Sequence, residues 1–177
     1  MLRARLQQMT DEPNVQLHTI LLQQLTDEYP NSVCILASPH PIDRYTCLMY
    51  VFDFTEKPEY IDIARYPGFN VYAGANFVYW LIDRRFLTEI SEVNARTGDL
   101  LMYFNGCDFK HVGILRESKR VISKWGIGHL YEHGLWEVPL SYGTTLRFFR
   151  SITYERAFDL FTYFAEENGI PFETPDP

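Results

Sequence analysis

The chain has no run of about 18 apolar residues, the length a helix needs to cross a bilayer, so no membrane-spanning segment is expected. The opening stretch MLRARLQQMTDEP carries two arginines with no apolar segment behind them. It is not a recognisable secretory signal, which makes the cytoplasm the expected compartment. Basic residues are few: 16 Lys and Arg stand against 23 Asp and Glu, for a net charge of −7. A partner held through its phosphate backbone needs a basic footprint, so nucleic acid is not an expected partner. Cysteine is scarce as well. Cys34, Cys47 and Cys107 are an odd number without the spacing of a disulfide framework. Nor do Cys107, His129 and His133 have the spacing of zinc ligands, so neither a metal nor another cofactor is expected. Internal repeats and low-complexity tracts are also lacking, and only the closing ETPDP reads as a tail.

What is present is a globular composition, 46% hydrophobic and 16% aromatic over 177 residues. That is enough chain for one domain, residues 1–177, with a real core. Thirteen Phe, twelve Tyr and three Trp are many for this length, and large rings with one wet edge make grooves as well as cores. Residues 11–29 read as a helix with its acids at the favoured end, stopped by Pro30 and Asn31. A strand is expected over 33–37, a proline-bound loop at SPHPIDRY, and a buried helix of two turns or more at TCLMYVFDF. The stretch EKPEYIDIARYPGFNVYAG reads as loop. Phe77, Val78, Leu81, Ile82, Phe86 and Ile90 recur at three and four residues and predict an amphipathic helix over 75–92.

The period then changes. Residues 100–104, 111–115, 121–123 and 145–149 are short apolar runs separated by turn residues, the pattern of an antiparallel sheet. The segment ITYERAFDLFTYFAEENG closes as a helix ending at Gly169. Helices first and sheet second give an α+β fold class, with N-terminal helices packed on a small antiparallel sheet.

Two residues suggest chemistry. Cys47 stands at the first turn of its predicted helix, where free N–H groups and aligned peptide dipoles favour a thiolate and can receive an oxyanion. His111 opens a strand and could bring an imidazole to that thiol from an independent element. With Glu117 to Lys119 as the turn, the returning strand places residues 123–125 opposite or diagonal to His111. Ser123 is the uncharged hydroxyl there, and Glu132 could fold back to supply charge to the imidazole. Lys124, Trp125, His133 and Tyr45 are the candidates for the substrate groove.

Cysteine at a helix start, then Gly98-Asp99 introducing a strand, then His111 before Val112-Gly113-Ile114, then Ser123 on the following strand, resembles the NlpC/P60 type of papain-like hydrolase. The elements SKWG, EH and YG…LRFFR are similar to an uncharacterised group of bacterial proteins with that presumed fold. The resemblance covers residues 43–150 and departs from the family twice. Cys47 lies between Thr46 and Leu48 rather than in Asp-Cys-Ser-Gly, and Ser123 stands where the family most often has His. It implies a papain-like core with N- and C-terminal helical extensions. It further implies a cysteine hydrolase or acyltransferase that acts on the amide or ester bond of a peptide or acyl substrate, which could be a protein. Cys47, His111 and either Ser123 or Glu132 would do the chemistry. A binding or regulatory module that keeps the fold without turnover is the alternative, and delivery to another compartment or cell stays open.

Overall fold

A computed structural model describes residues 1–170, so the closing ETPDP lies outside the described residues. Among the described residues, seven strands form one antiparallel sheet. In chain order they are β1 (Val33–Leu36), β2 (Glu89–Ile90), β3 (Leu100–Asn105), β4 (Asp108–Leu115), β5 (Arg120–Lys124), β6 (Leu130–Gly134) and β7 (Thr145–Phe149). Across the sheet the order is β1-β6-β5-β4-β3-β7-β2. The fold class is therefore α+β, with six helices around the sheet: α1 (Leu2–Thr10), α2 (Val15–Glu28), α3 (Cys47–Val51), α4 (Pro58–Ala64), α5 (Ala75–Asp83) and α6 (Tyr154–Glu167).

Strand alternation sends successive side chains to opposite faces, and each face has its own core. Leu100, Met102, Phe104, Val112 and Phe149 bury against α3 to α6 with Phe77, Leu81, Leu160 and Phe161. Leu101, Tyr103, Leu115, Val121, Trp125 and Tyr131 bury on the other face, with Leu6 and Met9 of α1 and Leu22 and Leu25 of α2.

The structure differs from the sequence expectation at several boundaries. An unpredicted helix, α1, precedes the first predicted one, which is α2 and starts only after Asn14, whose side chain accepts from the Gln16 N–H. The acids of TDEP thus fill the link between the helices, not the first turn of α2. The stretch read as loop contains α4, because Pro58 sits at the start of that helix, where its missing N–H costs nothing. The helix predicted over 75–92 ends at Asp83, since Arg85 takes a left-handed φ of 58°. Its apolar period beyond that point belongs to a turn and to β2. The helix at Cys47 is five residues, shorter than expected. β6, where no strand was expected, lies between β1 and β5.

Candidate functional site

Cys47 is the first residue of α3, and Thr46 caps the helix by accepting from the Met49 N–H at 3.2 Å. The helix packs against β4 and β5. The β4–β5 ladder pairs Leu115 with Val121 and Ile114 with Ile122. Just beyond that paired stretch the main chain of Val112 addresses the Cys47 sulfur, as do the N–H groups of Cys47 and Leu48. The sulfur thus rests against the residue next to His111. This is how a short helix start and a strand, far apart in sequence, meet.

Both residues line one groove of about 820 Å³, whose other walls include Ile42, Tyr45, Met49, Ile127 and Tyr142. His111 is 2% exposed. Its ring stacks on Tyr142 with centroids 4.0 Å apart, and Tyr103 lies 5.7 Å away. Its Nε2 is buried without a hydrogen-bond partner among the described residues. Burial, the nearby His133 and Lys124 together hold its pKa well below the ordinary 6.5, so at neutral pH the ring is uncharged and able to accept a proton.

The thiol goes the other way from the sequence expectation. Burial pushes it up to about 11, against a downward pull from the N–H groups of Val112, Leu48 and Cys47 and from Lys124. One turn of aligned dipoles does not outweigh desolvation of the anion. The resting state at pH 7 is a neutral thiol and a neutral imidazole on one groove.

The third position is occupied differently than expected. A Cβ on Gly113 would come within 2.9 Å of the Ser123 Cβ, so Ser123 does reach the His111 strand on the same face. Its hydroxyl, however, is spent elsewhere. Trp125 Nε1 donates to Ser123 Oγ at 2.9 Å, and Ser123 Oγ and His133 Nε2 are 2.8 Å apart. His133 Nδ1 lies 2.8 Å from the Gly134 carbonyl, to which it must donate. That fixes the tautomer, so Nε2 accepts from the serine and the chain of donors closes without His111. Burial depresses His133 to about 4 and keeps it neutral.

Glu132 does not fold back to the imidazole. It pairs with Ile122 in register and so projects to the face opposite Ser123 and His133. There it accepts from Arg120 Nε at 3.3 Å. Of the four groove candidates, Tyr45 lines the groove, while Trp125 and His133 are buried behind it in the aromatic core. Lys124 lies fully buried beneath the groove, its Nζ donating to the Gly126 carbonyl at 2.6 Å and standing 5.2 Å from the Tyr45 ring centroid.

Two residues that sequence reasoning did not single out complete the site. Tyr142 supplies the stacking face for His111, and Gly143 behind it has a φ of 98° with its Cα against the Phe104 main chain, where no side chain fits. The sequence signal was the YG dipeptide, legible as a turn but silent about which ring it presents. Among the described residues no group of three or more His, Cys, Asp or Glu is placed to hold a metal ion, and no helix is long and apolar enough to cross a membrane. Comparison of the chain with protein-family models, with curated proteins and with solved structures finds no match in any of the three.

Proposed function

We propose that the protein is a thiol hydrolase or acyltransferase with a papain-like arrangement of its site, acting on amide or ester bonds of a peptide or acyl substrate. The observation that carries this reading is the convergence of Cys47 and His111 on one groove, with the imidazole Nε2 buried and unpartnered. Such a nitrogen lacks anything to accept from until a thiol or an attacking water offers a proton. In the proposed reaction Cys47 attacks the carbonyl carbon, His111 takes the thiol proton, and the C–S bond forms as the carbonyl pair moves onto oxygen. The N–H groups of Cys47 and Leu48 face that oxygen. Collapse expels the amine or alcohol, which takes the proton from His111, and water or a second acyl acceptor then releases the acyl group.

Because the resting thiol is protonated, proton transfer must accompany attack, and the base matters more than it would for a preformed thiolate. A p-nitrophenyl acetate burst followed by intact-mass mapping tests this. Acetylation is expected on Cys47, absent in Cys47→Ala, and slowed about 10²- to 10⁴-fold in His111→Ala.

The second reading, a binding module without turnover, is favoured by the thiol's high pKa of about 11. Absence of acylation on Cys47 in the folded protein, with only the exposed Cys34 and Cys107 modified, would establish that reading instead.

A further inference from the structure

We propose that Lys124 is the charge partner of Cys47, a positioning residue that stabilises the thiolate from beneath the groove instead of touching substrate. The inference rests on the reading of Cys47 as nucleophile. Lys124 is on the β5 face shared with Ile122, the face that α3 covers, whereas Ser123 and Trp125 beside it point to the aromatic core. The Ser-Lys-Trp-Gly tetrad therefore serves both faces: Ser123 bonds His133 and Trp125, and the Lys124 ammonium donates at 2.6 Å to the carbonyl of Gly126, which lines the groove with Tyr45 and Cys47.

An ammonium has three N–H donors. One is spent on Gly126, the Tyr45 ring lies 5.2 Å off, and among the described residues no carboxylate forms an ion pair with Lys124. A fully buried cation without a carboxylate is expensive unless some neighbour supplies the anion. Cys47, once ionised, is the first neighbour that would hold that charge, with Asp43 second, against a desolvation that brings the amine down to about 8. The charged and titratable groups that line the groove with Cys47 are Lys110 and His111 on β4, Tyr142 on its 3₁₀ turn, and Asp43, Arg44 and Tyr45 on the approach to α3. Of these and the buried cation beneath them, it is Lys124 that pulls the Cys47 thiol towards its charged form.

Two coupled sites share their protons, so the pair loses one near pH 8 and the second near 11. After the first loss, the remaining proton divides between nitrogen and sulfur, and the fraction with ammonium and thiolate is the nucleophilic one. The measurable consequence is a two-step profile of Cys47 alkylation by iodoacetamide, followed from pH 6 to 11 in a Cys34→Ser, Cys107→Ser background. In that reaction the S–C bond forms, iodide leaves and the proton goes to solvent.

The expected profile has a shoulder near pH 8 and a final rise towards 11. Lys124→Met should lose the shoulder and drop the rate at pH 8 to 9 about tenfold or more. Lys124→Arg, whose cation does not titrate, should give a single step at lower pH than the Met variant. Profiles of Lys124→Met and Lys124→Arg that match the parent would overturn the proposal. If Lys124→Met fails to fold, the single low step of Lys124→Arg decides, and its absence overturns the pair equally. The two readings fail separately. A shoulder without acetylation of Cys47 removes acyl transfer and leaves the pair, whereas acetylation with a single-step parent profile removes the pair alone.

Discussion

His133 shows how one buried imidazole can tie the fold to pH. Its Nε2 must remain a lone pair to accept from Ser123, and its Nδ1–H must stay on Gly134. Protonation breaks the first contact and places a charge where no solvent reaches. In the unfolded chain a histidine takes its proton near 6.5, whereas folded His133 resists to about 4. Between those values the unfolded state binds more protons, so stability is complete above about 6.5 and falls as pH drops towards 4. The loss amounts to about 3 kcal/mol. His111, depressed by burial as well, adds to the fall with the same sign. Urea unfolding at pH 7, 6, 5 and 4 should show the midpoint declining, and His133→Gln should flatten that decline while lowering stability at pH 7. Parallel declines in the two proteins would place the titration on other groups.

At the scale of elements, the strands hold the site and the short helix delivers to it. β4 lies too close to β5 for a side chain at Gly113. A Cβ on Gly113 would fall 2.5 Å from Val121 Cγ1 and 2.9 Å from the Ile122 carbonyl. Gly113→Ala therefore forces the two strands apart and is expected to cost about 1–3 kcal/mol, read as a lower urea midpoint. An unchanged midpoint would mean that the β4–β5 spacing is looser than the contacts imply. Much of this sheet was legible in sequence, since β7 spans the expected residues and β3, β4 and β5 each extend the expected run by one to three. Period two against one buried face is a strong signal. β6 was absent from the expected strands, although Tyr131 and His133 are buried in a central strand. Only the neighbouring strands make that position an interior. For the same reason the sequence could place Ser123 beside His111 but not reveal that His133 and Trp125 compete for its hydroxyl, since a hydrogen-bond partner on a third strand has no local trace. The direction of the Cys47 shift was missed because helix position is written in sequence and desolvation is not.

Across the whole molecule, the two cores meet the site from opposite faces of the sheet, and α1 holds one side of it from a distance. Arg3 donates to the Val138 carbonyl at 3.1 Å, to Pro139 at 3.2 Å and to Gly143 at 2.6 Å. Those three carbonyls bracket the 3₁₀ turn Leu140–Tyr142, whose last ring stacks on His111. Gln7 adds a fourth tie by accepting from the Ser141 N–H at 2.8 Å. A residue near the start of the chain thus fixes the face against which the proposed base is oriented. Charge-assisted hydrogen bonds to main-chain carbonyls contribute more than neutral ones, and removing all three at a half-buried position should cost about 1–3 kcal/mol. Arg3→Met keeps much of the aliphatic stem and so isolates those bonds from packing. Its expected effects are a lower urea midpoint and a loss of the upfield ring-current shift that Tyr142 imposes on the His111 Cε1 proton, seen by NMR below the unfolding transition. If the midpoint falls while the His111 signal stays in place, then Tyr142 is held by Gly143 and the Phe104 main chain alone. The reach of α1 into the site would then end at the turn.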